Sequence, residues 1–141
     1  MALWLCKQEP GCYSYQDLER DGSTSWDGVA NPLARKHLRM MKPGDRVLLY
    51  HTGKEKAVVG EMVVAADPCL EPVGEDQSAV AVEMKAVRAL AKPVTLATIK
   101  ADKLLAKWDL VRLPRLSVVP VTEAQWKRVM TLSDKKESNR K

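Results

Sequence analysis

Two runs of strand-forming residues, Arg46-Val47-Leu48-Leu49-Tyr50-His51 and Ala57 to Ala65, flank the short polar stretch Thr52-Gly53-Lys54-Glu55-Lys56. β-Branched and aromatic side chains suit a pleated, half-buried surface, and a brief glycine-bearing loop between such runs turns the chain back on itself. The centre of the chain therefore reads as a β-hairpin. A lone hairpin is marginal in water, so the flanking sequence must supply further strands and a cover. Gly60, inside the second run, predicts a bulge or a close approach by another group.

The flanks supply both. Leu3 to Cys6 reads as a short strand that Pro10 and Gly11 bring to a stop. Ser14 and Asp17 have capping-box spacing and predict a brief helix to about Arg20. Asp21-Gly22-Ser23 then turns the chain into Trp26-Asp27-Gly28-Val29-Ala30-Asn31-Pro32, a tight polar segment that places Trp26 at the mouth of a helix. In that helix Asn31 is the N-cap, Pro32 the first residue, and Leu33, Ala34, His37, Leu38 and Met41 recur at helical spacing.

Lys42-Pro43-Gly44-Asp45 is a sharp turn into the hairpin, and Asp67-Pro68 ends it. Residues 67–78 read as a mobile loop. Ala79 to Leu90 reads as a long, bent strand with Val80, Val82 and Met84 on one face. Helices are expected over Leu96 to Ala101 and near Lys103 to Lys107. Pro114 to Pro120 reads as a short strand at an edge or barrel-closing position. Thr122 and Gln125 form a second capping box, opening a helix that buries Trp126, Val129 and Met130. Several strands around one core, with helices outside, give the class α+β, a small β-barrel surrounded by several short helices.

With 141 residues, 45% of them apolar, there is material for one domain and one core. No apolar run approaches the roughly 20 residues of a membrane span, and the N-terminus lacks the pattern of a signal peptide. A soluble, intracellular chain is expected, with no membrane partner, cytoplasmic or nuclear if eukaryotic, and monomeric. Cys6, Cys12 and Cys69 form no CxxC pair, and two histidines make no zinc set, so reduced thiols and no cofactor or metal are expected. The net charge is +5, but the segment 133–141, read as a basic flexible tail, carries two of those charges. The remainder is mildly basic, which permits nucleic acid as a partner.

Walker, GxSxG, HExxH and GxGxxG motifs are all absent, which favours a binder over an enzyme. A triad of Ser117 or Cys69 with His51 and Asp27 has no supporting spacing. His51 reads more simply as a residue that fixes a loop. Trp4 and Trp126 sit in regular apolar patterns and read as core, and Trp108, between Lys107 and Asp109, as a surface packing residue. Trp26 alone sits where a flat ligand could stack, beside unpaired helix-start N–H groups. Arg35, Lys36, Arg39 and Lys42 form a cationic stripe beside it, suited to phosphates.

Assembled in order, these segments resemble an EVE domain, a member of the PUA-like group that includes the YTH domains. The resemblance rests on Trp4-Leu5 with Lys7-Gln8-Glu9-Pro10 and Tyr13-Ser14; Trp26-Asp27-Gly28-Val29 with Asn31 and Ala34-Arg35; Met41 to Asp45; Tyr50-His51; Val59-Gly60; Lys92-Pro93-Val94; and Arg115-Leu116-Ser117-Val118 with Pro120-Val121-Thr122. It spans residues 1–132. It implies a PUA-like β-barrel that binds DNA or RNA carrying a modified base, without catalysis. The implied pocket has Trp26 as its wall, Lys7, Gln8 and Glu9 at the rim, and Arg115, Leu116 and Ser117 on the far side, with Asp27, Asn31, Tyr50 and His51 completing it. The chain departs from the family pattern at Gln8, Ala30, Pro32 and Asp67-Pro68-Cys69. Two alternatives remain: a small enzyme or small-molecule binder using Glu9, Asp27 or His51, and an interaction domain whose pocket has decayed.

Overall fold

The computed structural model describes residues 2–27, 29–70 and 79–134. Its first strand, β1 (Leu3–Gln8), is followed by helix α1 (Tyr15–Asp21), strand β2 (Ser23–Trp26) and helix α2 (Pro32–Met40). The hairpin is β3 (Arg46–His51) and β4 (Ala57–Val64), with Gly53 and Lys56 at positive φ in the loop between them. Then come β5 (Cys69–Leu70), β6 (Val80–Thr95), α3 (Leu96–Ala101), α4 (Asp109–Arg112), β7 (Val118–Val121) and α5 (Glu123–Asp134).

The seven strands form a mixed sheet in the order β2-β6-β4-β3-β1-β7, with β5 also on β6. This path is open, because its end strands β2 and β7 do not pair, so the expected closed barrel is corrected to an α+β fold around a bent sheet. β7 is the edge strand that its prolines suggest, antiparallel to β1. β1 and β3 run parallel, from Leu3 opposite Arg46 to Gln8 opposite His51. Parallel neighbours need a long crossover, and α1, β2 and α2 supply it. The two strands therefore finish side by side, bringing Lys7-Gln8 next to Tyr50-His51.

The sheet bends where register is lost, between Leu49 and Tyr50 on β3 and between Val58 and Gly60 on β4. Both readings of Gly60 hold: it borders the bulge, and the Tyr15 ring lies directly against its Cα. Tyr15 also donates its hydroxyl to Glu61 O at 2.8 Å. The buried Glu61 carboxylate accepts from Arg46 at 2.7 Å and Arg88 at 3.3 Å, and the Arg46 guanidinium lies 4.7 Å from the Trp126 ring centre. A buried acid held by two arginines satisfies the rule that interior charges are paired.

Local caps form as expected. Ser14 and Asp17 make a reciprocal capping box, Asn31 Oδ1 accepts from Ala34 N at 3.0 Å, and Thr122 and Gln125 make a second box. Ala34 and Leu38 of α2 and Met41 just past its end are buried, while Leu33 is 43% exposed.

Other expectations change. Trp26 ends a strand instead of lying in a turn, because β2 pairs with β6 from Ser23 opposite Lys85 to Trp26 opposite Val82. Trp108 is buried, its indole N–H donating to Pro120 O at 3.1 Å. Residues 103–107 form turns, and the helix comes later, at α4. Cys69-Leu70 pair with β6, while 71–78 lie outside the described residues. Helix α5 continues through Ser133, whose buried hydroxyl accepts from Lys92 N at 3.2 Å and donates to Lys92 O at 2.8 Å. The expected tail from 135 onward lies outside the described residues.

Candidate nucleic-acid interface

The ends of β1 and β2 and the segment before α1 enclose a cavity of about 190 Å³ lined by Gln8, Tyr13, Thr24, Ser25, Trp26 and Asp27. Three expected pocket residues, Gln8, Trp26 and Asp27, thus meet. The tryptophan is only 5% exposed and packs in the core, so only a small part of the indole reaches the cavity. Tyr13, which sequence reasoning left out of the site, supplies a second aromatic wall. Its position next to the Ser14 cap was the available signal, since a capped start holds the preceding residue in place. The Tyr13 hydroxyl donates to Asp21 at 2.8 Å, and burial, then Asp21, push its pKa above the usual range.

The polar groups around this cavity are of complementary kinds. Gln8 turns its carbonyl oxygen to Glu9 N at 3.0 Å, which leaves its amide N–H groups available as donors. Asp27 is exposed and carries an acceptor carboxylate, and Thr24 and Ser25 bring hydroxyls.

A second cavity, of about 330 Å³, brings together Asn31, Arg115 and Leu116 with Leu33 of α2 and the loop from Arg112 to Pro114. Lys7 stands beside that loop. Its ammonium donates to Pro114 O at 2.9 Å and lies 5.8 Å from the centre of the buried Tyr50 ring. Burial lowers the Lys7 pKa and raises that of Tyr50. Ser117 meets Lys7 through its backbone, accepting from Lys7 N at 2.9 Å.

Glu9 and His51 line neither cavity and serve the hairpin loop. Thr52 donates to Glu9 Oε1 at 3.2 Å. His51 Nε2 accepts the Tyr15 backbone N–H at 3.0 Å, so its proton sits on Nδ1, which donates to Glu55 at 2.7 Å. With both ring nitrogens engaged, His51 has no lone pair free for base catalysis. Its role is the loop-fixing one.

The cationic stripe divides. Arg35 donates from Nε to Val29 O, holding the segment between β2 and α2. Lys36, Arg39 and Lys42 are exposed. Arg39 and Lys42 border a third cavity, of about 910 Å³, at the far end of α2 beside Trp4 and Asp45. Asp45, which the sequence offers as the end of a sharp turn, does more than turn the chain. It is buried and accepts from Ala2 N and the Trp4 indole at 3.1 Å and from Lys42 N at 3.0 Å. Among the described residues no group of acids, histidines and cysteines could hold a metal, and no helix is long and apolar enough to cross a membrane.

Comparison with known proteins agrees with this arrangement. Thymocyte nuclear protein 1 of Homo sapiens is 28% identical over 169 residues, covering 96% of this chain and 75% of that protein. A protein of Rhodopseudomonas palustris solved by NMR superposes with a TM-score of 0.89 at 36% identity, covering 94% of this chain and 93% of its own. The crystal structure of human THYN1 protein in complex with 5-methylcytosine-containing DNA superposes with a TM-score of 0.88 at 26% identity, covering 96% and 99%. The EVE domain profile matches residues 2–132, and with it the order of motifs and the sheet described above have one common explanation: the chain belongs to the EVE domain family.

Proposed function

We propose that this chain is a non-catalytic nucleic-acid-binding module that reads a modified base turned out of its strand. The observation that carries the reading is the meeting of Gln8, Tyr13, Trp26 and Asp27 around one cavity of about 190 Å³. That volume lies below the roughly 300–1,000 Å³ of sites for drug-sized ligands and suits a single flat ring. The crystallised human relative supports DNA with 5-methylcytosine as the first ligand to test. Such a module works in the cytoplasm, or in the nucleus of a eukaryotic cell.

The energetics follow from base extrusion. Unstacking a base costs a few kcal/mol, and stacking on Tyr13 restores part of that at about 1–3 kcal/mol per stacked base, with the small exposed part of Trp26 adding apolar contact. The Gln8 amide donates to a ring nitrogen or carbonyl of the base, and the Asp27 carboxylate accepts from an exocyclic amine. A methyl group contributes under about 1 kcal/mol by area alone, so selectivity for the modified base comes from the shape of the cavity. Asn31, Arg115 and Leu116, which line the separate 330 Å³ cavity, receive another part of the same strand. Lys36, Arg39 and Lys42 contact phosphates along the strand.

The test is titration of the protein with matched oligonucleotides, as DNA and RNA, containing cytosine or 5-methylcytosine at one position, with base composition analysed afterwards. Tighter binding of the methylated strand, loss of that preference in Tyr13→Ala, and unchanged bases support the reading. Equal affinity for all strands, or conversion of the base, overturns it.

A further inference from the structure

Residue Lys7 holds both ends of one loop. Its backbone N–H donates to Ser117 O, continuing the β1–β7 ladder one step past Cys6 opposite Val118, and its ammonium donates to Pro114 O, both at 2.9 Å. Overlapping these anchors, the chain makes a turn from Leu113 to Leu116, closed by Leu116 N to Leu113 O at 3.0 Å. That turn buries Leu116 and leaves Arg115 exposed on the wall of the 330 Å³ cavity.

The ammonium has an unusual setting. Among the described residues no carboxylate pairs with it, and its contacts are a carbonyl oxygen and the face of Tyr50. Carrying a partly desolvated cation without a counter-ion is costly, and burial accordingly lowers its pKa. Its one hydrogen bond among the described residues goes to the loop.

We infer that Lys7 is a positioning residue, a staple that sets the Pro114–Ser117 loop, and so the Arg115-Leu116 wall, for the nucleotide. This rests on the nucleic-acid reading above and deepens it, since it moves Lys7 from the ligand to the framework that meets the ligand. A staple and a phosphate contact predict different salt behaviour. Each phosphate contact adds about 0.7–0.9 to the slope of log affinity against log salt, whereas a staple adds nothing.

The experiment compares the wild type with Lys7→Met, which keeps the stem over Tyr50 and loses the donor, and Lys7→Arg, which keeps a donor. In the free proteins, Lys7→Met is expected to speed hydrogen exchange at Leu116 N by about tenfold, the equivalent of one charge-assisted hydrogen bond, with Lys7→Arg close to the wild type. Unchanged exchange in Lys7→Met overturns the staple whatever the protein binds. With a 5-methylcytosine DNA strand, Lys7→Met should bind about tenfold more weakly with an unchanged salt slope, and Lys7→Arg should restore affinity. A slope lower by about one in Lys7→Met makes Lys7 a phosphate ligand and overturns the inference. If Lys7→Met does not fold, Lys7→Arg decides: exchange at Leu116 N within about twofold of the wild type supports the staple, and tenfold faster exchange overturns it. A wild type that binds no strand refutes the reading of function and leaves the exchange result to judge the staple.

Discussion

The ring of Tyr15 occupies the space a side chain on Gly60 would need: a Cβ built there would lie 2.5 Å from Cδ1 and 2.7 Å from Cζ. The ring is anchored at its far end by the hydroxyl bond to Glu61 O, and the Tyr15 backbone by its bond to His51, so it cannot swing aside. Gly60→Ala is expected to lower stability by about 1–3 kcal/mol, the usual cost of overpacking a core. Urea unfolding measures it, and Tyr15→Leu in the same chain should recover part of the loss.

Removing Trp26 will unfold more than a binding site. The indole is buried against the core, so Trp26→Ala is expected to cost about 3–5 kcal/mol, as large-to-small core changes do. Thermal melting of the variant checks this. Tyr13→Ala is the cleaner probe of the cavity, with a smaller drop in melting temperature and a larger loss of base preference.

Asp45→Ala strands three donors at once, the N–H groups of Ala2 and Lys42 and the Trp4 indole. A buried donor left unpaired costs about 1–3 kcal/mol, so a loss of about 3 kcal/mol in total is expected. Asp45→Asn, which can accept from some of these donors, should lose less. Denaturant titration of both variants gives the comparison.

Charge reversal at Arg39 acts on the strand and not on the base. Arg39 is exposed on α2 and away from the base cavity, so Arg39→Glu is expected to weaken binding of every strand alike and to flatten the salt dependence. Titrations at several salt concentrations read both effects, and a change in base preference instead would put Arg39 in the base site.

Burial first, and then the charge of Lys36, hold the His37 pKa below the ordinary 6.5, against an opposing pull from Asp109. A histidine whose folded pKa is depressed contributes stability that is complete above the unfolded value and lost as pH falls through the folded one. Unfolding midpoints should therefore drop as pH is lowered from 7.5 into the region below 6.5. His37→Gln should flatten that part of the profile.

What could be read from the sequence was what is decided locally. The Ser14, Asn31 and Thr122 caps depend on residues three apart, and each helix start formed where its cap stands. The hairpin needed only its two runs and its loop. β2 was missed because Ser23-Thr24-Ser25-Trp26 carries one large apolar side chain, and its strand conformation comes from pairing with β6, some sixty residues later. Trp108 was misjudged from its charged neighbours, while the partner that buries it, Pro120, belongs to another element. The same division runs through the site. Gln8, Trp26 and Asp27 were named from motifs and do meet, but Tyr13 joins them only because the end of β1 and the end of β2 come together in space.

The contact between Ser133 and Lys92 has a consequence beyond the packing of α5. It falls where β6 loses step with β4, between Ala89 opposite Gly60 and Val94 opposite Val58. A serine hydroxyl both accepts and donates, so one side chain engages both backbone groups of Lys92. The last turn of α5 is thus tied to the sheet at the point where two strands fall out of step, and Ser133→Ala is the change that would release it.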